Sequence, residues 1–308
     1  MRFFTLSPKP PFRLDLTAWA LRRLPINLID RWDNGEYRRV LTLDGTPAEV
    51  SVSQIGTSEK PKLVIKVKAK RDDMIKRQEV ISVLKKILGM EVNLTGFYHL
   101  ACRDKRLFFL LSRFDGLKPP RFASVFEALI NGFACQQLSL HVGIHLLNRL
   151  CVKYGLKFEE SRAFPRPVDL SDAKHGDLMK LGFSRHKAEY ILNAAITAVK
   201  EKWVAEQFGE LSAAAALEKL LEIRGVGMWT AEYVLLRGLG KLDVIPADDV
   251  GIRNKLAYWL GLKTVPDPDS VRKILSRWNS YKGALYFYLL LDYLERTGKI
   301  DNSNFQAQ

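Results

Sequence analysis

Residues 217–256, LEKLLEIRGVGMWTAEYVLLRGLGKLDVIPADDVGIRNKL, contain the pattern on which the interpretation of the whole chain depends. An amphipathic helix is predicted to end near Glu222, and the turn at 223–227 follows it. A second amphipathic helix comes next, with an inward face formed by Thr230, Ala231, Val234 and Leu235. The stretch therefore predicts two short helices joined by a tight glycine turn.

The turn has two glycines, Gly225 and Gly227, on either side of Val226. Glycine tolerates a positive φ and lets a phosphate approach the backbone without a Cβ in the way. Amides at the start of the next helix point outward, and the helix dipole favours an anion there. With Val226 inserted in the core, the turn predicts a clamp for a DNA backbone that reads no base sequence. The alternative is an ordinary helical hairpin, which would be preferred for these three residues alone.

Two adjacent acids, Asp248 and Asp249, follow Pro246 and precede the next predicted helix. An acid in such a position usually caps the helix, and we assign the cap to Asp248. Asp249 then falls in the first turn, where the helix N-terminus favours an ionised carboxylate. Near a sugar C1′, such a carboxylate would stabilise an oxocarbenium-like transition state, as in glycoside hydrolysis.

The combination of L-x-x-I-x-G-V-G-x-W-T-A at 220–231 with D-V-I-P-A-D-D at 243–249 resembles a known family. It is similar to the helix-hairpin-helix signature, Gly/Pro-rich loop and aspartate of the HhH-GPD DNA glycosylase superfamily. Within it, the chain resembles the alkylation-repair branch, the 3-methyladenine DNA glycosylase II type, best over 120–300. The resemblance implies a monomeric base excision repair enzyme. It would flip a damaged base, an alkylated purine, out of double-stranded DNA and hydrolyse the N-glycosidic bond with Asp249.

The resemblance also assigns roles around the hairpin. The family's lysine nucleophile, where present, lies two positions after the second hairpin glycine, and that position is Trp229 here. A tryptophan cannot form a Schiff base, so we expect a monofunctional glycosylase and not an oxoguanine-type lyase. No organic cofactor is expected. A monovalent cation that bridges to phosphate is expected on the carbonyl oxygens of Leu221, Ile223 and Val226.

Aromatic side chains near the motif predict a pocket for the flipped base. Trp229 and Tyr233 share a helix face, while Trp278 and Tyr281 lie near the point where this family branch has another pocket tryptophan. With Asp248, these residues are the predicted substrate pocket, because electron-rich rings attract a cationic alkylated purine. The alternative is that such rings fill the core, and we prefer it for Tyr286, Phe287 and Tyr288.

The segment FACQQLS at 133–139 is a candidate for contact with DNA. It resembles the family's Q-Q-x-S segment, from which one side chain enters the gap left by the flipped base. Gln137 is the first candidate for that wedge and Leu138 the second. Two glutamines between helices are otherwise typical of a surface.

A second candidate is LGFSRHK at 181–187, where a helix is predicted to start. Ser184 has the character of its N-cap, and Arg185 and Lys187 are expected to reach phosphate. A solvated basic helix start is an equally good interpretation.

Composition limits the classes of protein that fit. The 308 residues have a formal net charge of +14, which favours a polyanionic partner, and contain no membrane span or signal peptide. The cysteines are few, odd in number and widely separated, which excludes a four-cysteine iron–sulfur cluster within one chain. They also predict a reducing intracellular compartment, the cytoplasm with its nucleoid or the nucleus. They are Cys102, Cys135 and Cys151.

The alternation of apolar and polar residues that marks strands is confined to the first third of the chain. It predicts strands at 37–43, 48–53 and 63–70, and a helix follows at 71–89 with Met74 in its apolar stripe. After the boundary Lys118-Pro119-Pro120, helices are predicted at 123–136, 139–154, 171–181, 184–201, 213–222, 228–239, 249–260, 268–277 and 282–297. The prediction is an α+β fold. A small N-terminal antiparallel β-sheet domain with helices (1–115) precedes an all-α helix-hairpin-helix glycosylase domain (116–308).

Two other functions remain open from the sequence. A glycosylase for deaminated or oxidised bases would share the same motif, because pocket side chains set the lesion. A non-catalytic helix-hairpin-helix DNA-binding module would share the hairpin, and Asp249 at the family's spacing weighs against it. A membrane-surface protein fits the charge but not the motif.

Overall fold

A five-stranded antiparallel sheet forms the N-terminal part of the computed structural model, which describes residues 2–70, 75–201, 208 and 210–300. The strand order is β1-β5-β4-β3-β2. The strands are β1 (Arg2–Leu6), β2 (Arg31–Asp33), β3 (Glu36–Leu43), β4 (Thr46–Ile55) and β5 (Lys62–Ala69). Alternate residues of β4 and β5 point into the core, where Val50 faces Val67 and Val52 faces Ile65 across the ladder.

The three strands predicted from alternation are confirmed as β3, β4 and β5. Asp44 and Gly45 join β3 to β4 with φ values of 46° and 78°, the paired positive φ that suits the right-handed twist of a hairpin. The sequence analysis missed β1 and β2. Only three residues form β2, and the adjacent rings of Phe3 and Phe4 in β1 give no alternation.

Helices make up most of the remaining chain. Of those in the part of the chain that the structure describes, none combines the length and apolar character needed to cross a membrane. They are α1 (Leu14–Arg22), α2 (Arg77–Ile87), α3 (Thr95–Ala101), α4 (Lys105–Arg113), α5 (Val125–Cys135), α6 (Leu140–Tyr154), α7 (Pro167–Leu170), α8 (His175–Lys180), α9 (Arg185–Lys200), α10 (Ala213–Leu221), α11 (Met228–Val234), α12 (Val250–Leu260), α13 (Pro268–Leu275) and α14 (Lys282–Arg296). A two-stranded ribbon of β6 (Lys157–Phe158) and β7 (Ser161–Arg162) follows α6.

The predicted α+β fold is confirmed, with four local differences among the helices. The helix predicted at 171–181 is the shorter α8, with α7 before it, and the one predicted at 228–239 changes into a π-helical turn at Leu235–Leu239. Helices α1, α3 and α4 were not predicted. The helix predicted at 71–89 begins at Arg77, and Met74 lies outside the described residues.

Two hydrophobic cores each join the sequence before residue 115 to the sequence after it. The first packs the sheet and α2 against α5, α6 and α9. The second packs α1, α3 and α4 against α12, α13 and α14. The division at 115/116 stays a prediction, but neither half holds a core of its own among the described residues.

Buried arginines fasten the N-terminal elements to the helices that carry the motif. Arg39 on β3 pairs with Asp30 at 2.9 Å and with Glu127 on α5 at 2.5 Å. Arg23, just after α1, donates to the Tyr233 hydroxyl of α11 at 3.0 Å. Arg237 donates to the Ala20 carbonyl at 3.0 Å. Because each buried cation makes hydrogen bonds across the two parts, α5 and α11 are held in fixed positions.

Candidate active site

The glycine turn joins α10 to α11, and its two glycines serve different purposes. Gly225 has a φ of 89°, and a Cβ there would lie 2.3 Å from the ring of Tyr190. Gly227 has an ordinary φ of −95° and caps α11, and a Cβ there would meet no atom within 4 Å. Val226 is 7% exposed, as expected for a residue inserted in the core. Gly225 is thus required by the fold, while Gly227 leaves an open approach to the start of α11.

The predicted cap assignment of the two acids is wrong. Asp249, not Asp248, is the N-cap of α12, because its extended backbone immediately precedes Val250 and its Oδ1 accepts the Ile252 N–H at 2.8 Å. Asp248 is exposed and pairs with Arg272 at 3.0 Å. The carboxylate of Asp249 still lies at a helix N-terminus, so the electrostatic reason for placing an anion there is unchanged.

The second oxygen of Asp249 is held by an aromatic residue of α11. The indole Nε1 of Trp229 donates to Asp249 Oδ2 at 3.1 Å. Trp229 stacks on Tyr233, with ring centroids 5.4 Å apart and an interplanar angle of 16°. Tyr233 is 3% exposed and burial raises the pKa of its hydroxyl, which accepts from Arg23. Trp229 therefore borders the cleft, while Tyr233 supports it from behind and does not line the predicted pocket.

Trp278 and Tyr281 do not line the pocket that the sequence analysis predicted for them. Trp278 is 2% exposed and packs in the second core against Trp259. Tyr281 stacks on Phe97 of α3, with centroids 5.5 Å apart. Tyr281 is covered by α3, an element without a sequence signal, whereas Trp278 is covered in the core by Trp259 of α12.

Tyr286 on α14 is the aromatic residue that the sequence analysis placed in the core and that the structure places near Asp249. Phe287 and Tyr288 are fully buried, as predicted, but Tyr286 is only half-buried. Its hydroxyl pKa is raised, first by burial and then by the negative charge of Asp249. Nothing in its apolar surroundings in the sequence distinguishes it from its neighbours.

The loop after α5 has a strained tip. Gln137 has a φ of 56° and is exposed, as is Leu138. The preceding Gln136 turns inward and donates to Thr230 Oγ1 at 2.6 Å and to the Gly225 carbonyl at 3.2 Å. The loop is therefore tied to the glycine turn, and its tip projects from a fixed base.

Lys187 stabilises this loop from α9. Its Nζ donates to the carbonyls of Gln136 at 2.7 Å and Ala134 at 3.2 Å, and burial lowers the pKa of the ammonium. The ammonium therefore binds the end of α5, and its contact with phosphate stays a prediction. Ser184 caps α9 as predicted, and Arg185 is exposed beside it.

The glycine turn, the loop after α5, the start of α9 and the cap of α12 border one cleft of about 990 Å³. This volume is at the upper end of the range for small-molecule sites. Of the predicted residues, the turn glycines, Gln137, Leu138, Ser184, Lys187, Trp229, Asp248 and Asp249 line it. Cys135, Gln136, His186, Tyr190, Met228, Thr230, Val250 and Gly251 complete its walls. The structure thus brings together four separate segments of sequence around one carboxylate.

The cation expected on the turn carbonyls stays a prediction. Ile223 accepts the Val226 N–H at 3.0 Å. Among the described residues, no backbone N–H outside the helices donates to the carbonyls of Leu221 or Val226.

Comparisons with known proteins give a consistent result. Residues 130–280 match the family model described as HhH-GPD superfamily base excision DNA repair protein. A DNA-3-methyladenine glycosylase of Bacillus subtilis is 28% identical over 70% of this chain and 72% of its own length.

Two solved structures extend the likeness beyond the motif. The 3-methyladenine DNA glycosylase of Archaeoglobus fulgidus superposes with a TM-score of 0.80 and 26% identity, over 96% of this chain and all of that one. The 3-methyladenine DNA glycosylase of Schizosaccharomyces pombe, solved in complex with abasic DNA, superposes with a TM-score of 0.56 and 27% identity. The superposition covers 66% of this chain and 96% of that one.

Proposed function

The chain belongs to the HhH-GPD superfamily of base excision DNA repair proteins and is a DNA glycosylase of the 3-methyladenine type, and from this we propose that it is monofunctional and removes alkylated purines from double-stranded DNA. The observation that carries the proposal is the position of Asp249. Its carboxylate lies in the same cleft as the glycine turn and the Gln137 loop. The glycine turn that would bind phosphate, the proposed wedge Gln137 and the carboxylate of Asp249 would therefore act on one nucleotide.

The proposed mechanism begins with the removal of the base from the stack. The turn amides and the start of α11 bind phosphate, and a cation on the Leu221, Ile223 and Val226 carbonyls would add a bridge to it. Gln137, with Leu138 beside it, fills the gap left in the duplex. Arg185 is exposed at the edge of the cleft, where it is available to a neighbouring phosphate.

Bond cleavage then depends on Asp249. The departing base takes the electron pair of the C1′–N bond, and the sugar acquires positive charge opposite the carboxylate. Water adds to C1′ and gives up a proton, which leaves an abasic site and a free base. A cationic alkylated purine leaves as a neutral molecule, so little help from a general acid is needed. Trp229, with its face in the cleft and its N–H on Asp249, suits such a base through cation–π attraction.

Asp249→Asn tests the proposal, with Asp248→Asn as a control that removes the same charge from the exposed neighbour. On alkylated duplex DNA, Asp249→Asn is expected to bind normally and to lose base release by about 100-fold or more, the order seen when one electrostatic group is removed. Asp248→Asn is expected to retain base release. Near-wild-type release by Asp249→Asn, or loss only in Asp248→Asn, rejects the assignment.

A panel of single lesions distinguishes the related possibilities. Release of methylated purines without strand nicking before alkali supports the proposal. Preferential release of deaminated or oxidised bases would change the lesion class, and nicking without alkali would show lyase chemistry. Tight, salt-sensitive binding with no release of any base would indicate a non-catalytic DNA-binding module.

A further inference from the structure

Lys255 on α12 is a half-buried lysine close to Asp249 that the mechanism above does not use. Its Nζ donates to the Gly251 carbonyl at 3.0 Å, one turn earlier in the same helix. It also lies over the ring of Tyr293 on α14, 5.0 Å from the centroid. Its ammonium is therefore directed back toward the N-terminus of α12 and not outward into solvent.

Gly251 locates this ammonium relative to the carboxylate. A Cβ on Gly251 would lie 2.9 Å from Asp249 Oδ1 and 3.2 Å from Lys255 Nζ. The two groups thus flank the same small space beside the first turn of α12. A larger residue at 251 would stand between them, and glycine leaves the charges facing each other.

The other charges around Lys255 make Asp249 its favourable partner. Arg296 and Lys299, near the end of α14, are cations, and burial is the main cause that lowers the pKa of Lys255. The negative charge of Asp249 acts in the opposite direction and favours the ammonium. A charge fixed in a partly buried place is screened by salt less than one on the surface.

We propose that Lys255 is a positioning residue for Asp249: its fixed ammonium is the countercharge that holds the carboxylate at the mouth of the cleft when DNA enters. The inference rests on the proposed function of Asp249. Incoming phosphates bring negative charge next to a carboxylate, and a neighbouring cation inside the protein offsets that repulsion. Lys255 does not itself line the cleft; it contacts Gly251, which does, and its charge reaches the cleft through Asp249.

The test compares Lys255→Met, which keeps the length of the side chain, with Lys255→Arg, which keeps the charge. Lys263→Met is the matched control, since Lys263 is exposed on the loop after α12. We would measure the single-turnover rate of base release from methylated duplex DNA across pH, and binding to a duplex with an abasic-site analogue. Thermal unfolding of each variant shows whether it is folded.

Lys255→Met is expected to lower the rate about tenfold near neutral pH, because the carboxylate loses its neighbouring cation and a tenfold change corresponds to about 1.4 kcal/mol of barrier. Lys255→Arg is expected to restore most of the rate, and Lys263→Met to match the wild type. In an Asp249→Asn background, Lys255→Met should change DNA binding no more than Lys263→Met does.

The outcomes separate this inference from the proposed function. Full activity of Asp249→Asn would defeat both. An inactive Asp249→Asn variant together with an unaltered rate and pH profile in Lys255→Met would reject the role of Lys255 alone. An equal loss of rate in Lys255→Met and Lys255→Arg would show a purely structural role and would also overturn the inference.

Discussion

The indole N–H of Trp229 and the carboxylate of Asp249 are joined by a 3.1 Å hydrogen bond between α11 and the cap of α12. The position where the resemblance would place a lysine nucleophile is thus occupied by an indole that donates to the aspartate. Hydrogen bonds to a charged group contribute about 1.5–3 kcal/mol. This bond connects the glycine turn, through the helix that follows it, to the carboxylate.

Trp229→Phe should retain the stacking on Tyr233 and lose only the N–H. We expect base release to fall about tenfold or more, in line with the loss of one charge-assisted hydrogen bond, while DNA binding changes little. Single-turnover kinetics measure the effect, with Trp259→Phe in the second core as the control. Wild-type rates in Trp229→Phe would show that the hydrogen bond does not orient Asp249.

Gln137→Gly should raise the stability of the protein and lower its rate of base release. A left-handed backbone costs a non-glycine residue about 1 kcal/mol, so glycine at this exposed tip should raise the free energy of unfolding by about that amount. Base release from duplex DNA should nevertheless fall, because the wedge is gone. The control is Asn34→Gly, which removes a positive φ of 49° in a distant hairpin and should leave release unchanged. Unaltered release in Gln137→Gly would transfer the wedge role to Leu138.

Alanine substitutions at the two turn glycines should affect different properties, one the stability of the protein and the other its binding to DNA. Gly225→Ala forces a methyl group against Tyr190 at a positive φ, and we expect a loss of about 1–3 kcal/mol of unfolding free energy. Gly227→Ala has open space around it and should leave stability unchanged but weaken DNA binding. Urea denaturation and DNA titrations measure the two effects. If Gly227→Ala binds DNA normally, phosphate does not approach the backbone there.

Lys118 should make stability depend on pH. Burial lowers its pKa to about 8, and its Nζ donates to the Val92 carbonyl at 3.0 Å. In the unfolded chain a lysine pKa is about 10.4, so between these values the unfolded state binds more protons and stability rises with pH. Urea denaturation of Lys118→Met from about pH 7.5 to about pH 10 should show a smaller rise than the wild type. Exposed Lys86→Met is the control, and equal slopes in all three proteins would contradict the prediction.

The sequence was informative where local chemistry determines the outcome. Alternation predicted β3 to β5, and helical periodicity predicted most helices after residue 120. The resemblance to the glycosylase family, carried by the motif at 220–249, assigned Asp249, the glycine turn and the Gln137 loop to one site. It could not choose the cap, because Asp248 and Asp249 are both competent and only the backbone path decides between them. It misplaced Tyr281 because an unpredicted helix, α3, packs on its ring, and it misplaced Trp278 because that ring packs in the core against Trp259. It could not show Tyr286 near Asp249, since tertiary packing creates that relationship.

The sharing of both hydrophobic cores between the two parts of the chain limits how this enzyme can be dissected. A fragment beginning at 116 would expose the apolar faces of α12 and α14 that α1, α3 and α4 cover. Such a fragment is expected to aggregate, and the intact protein to melt in one cooperative step. Chimeras between relatives would have to exchange surfaces matched to both cores.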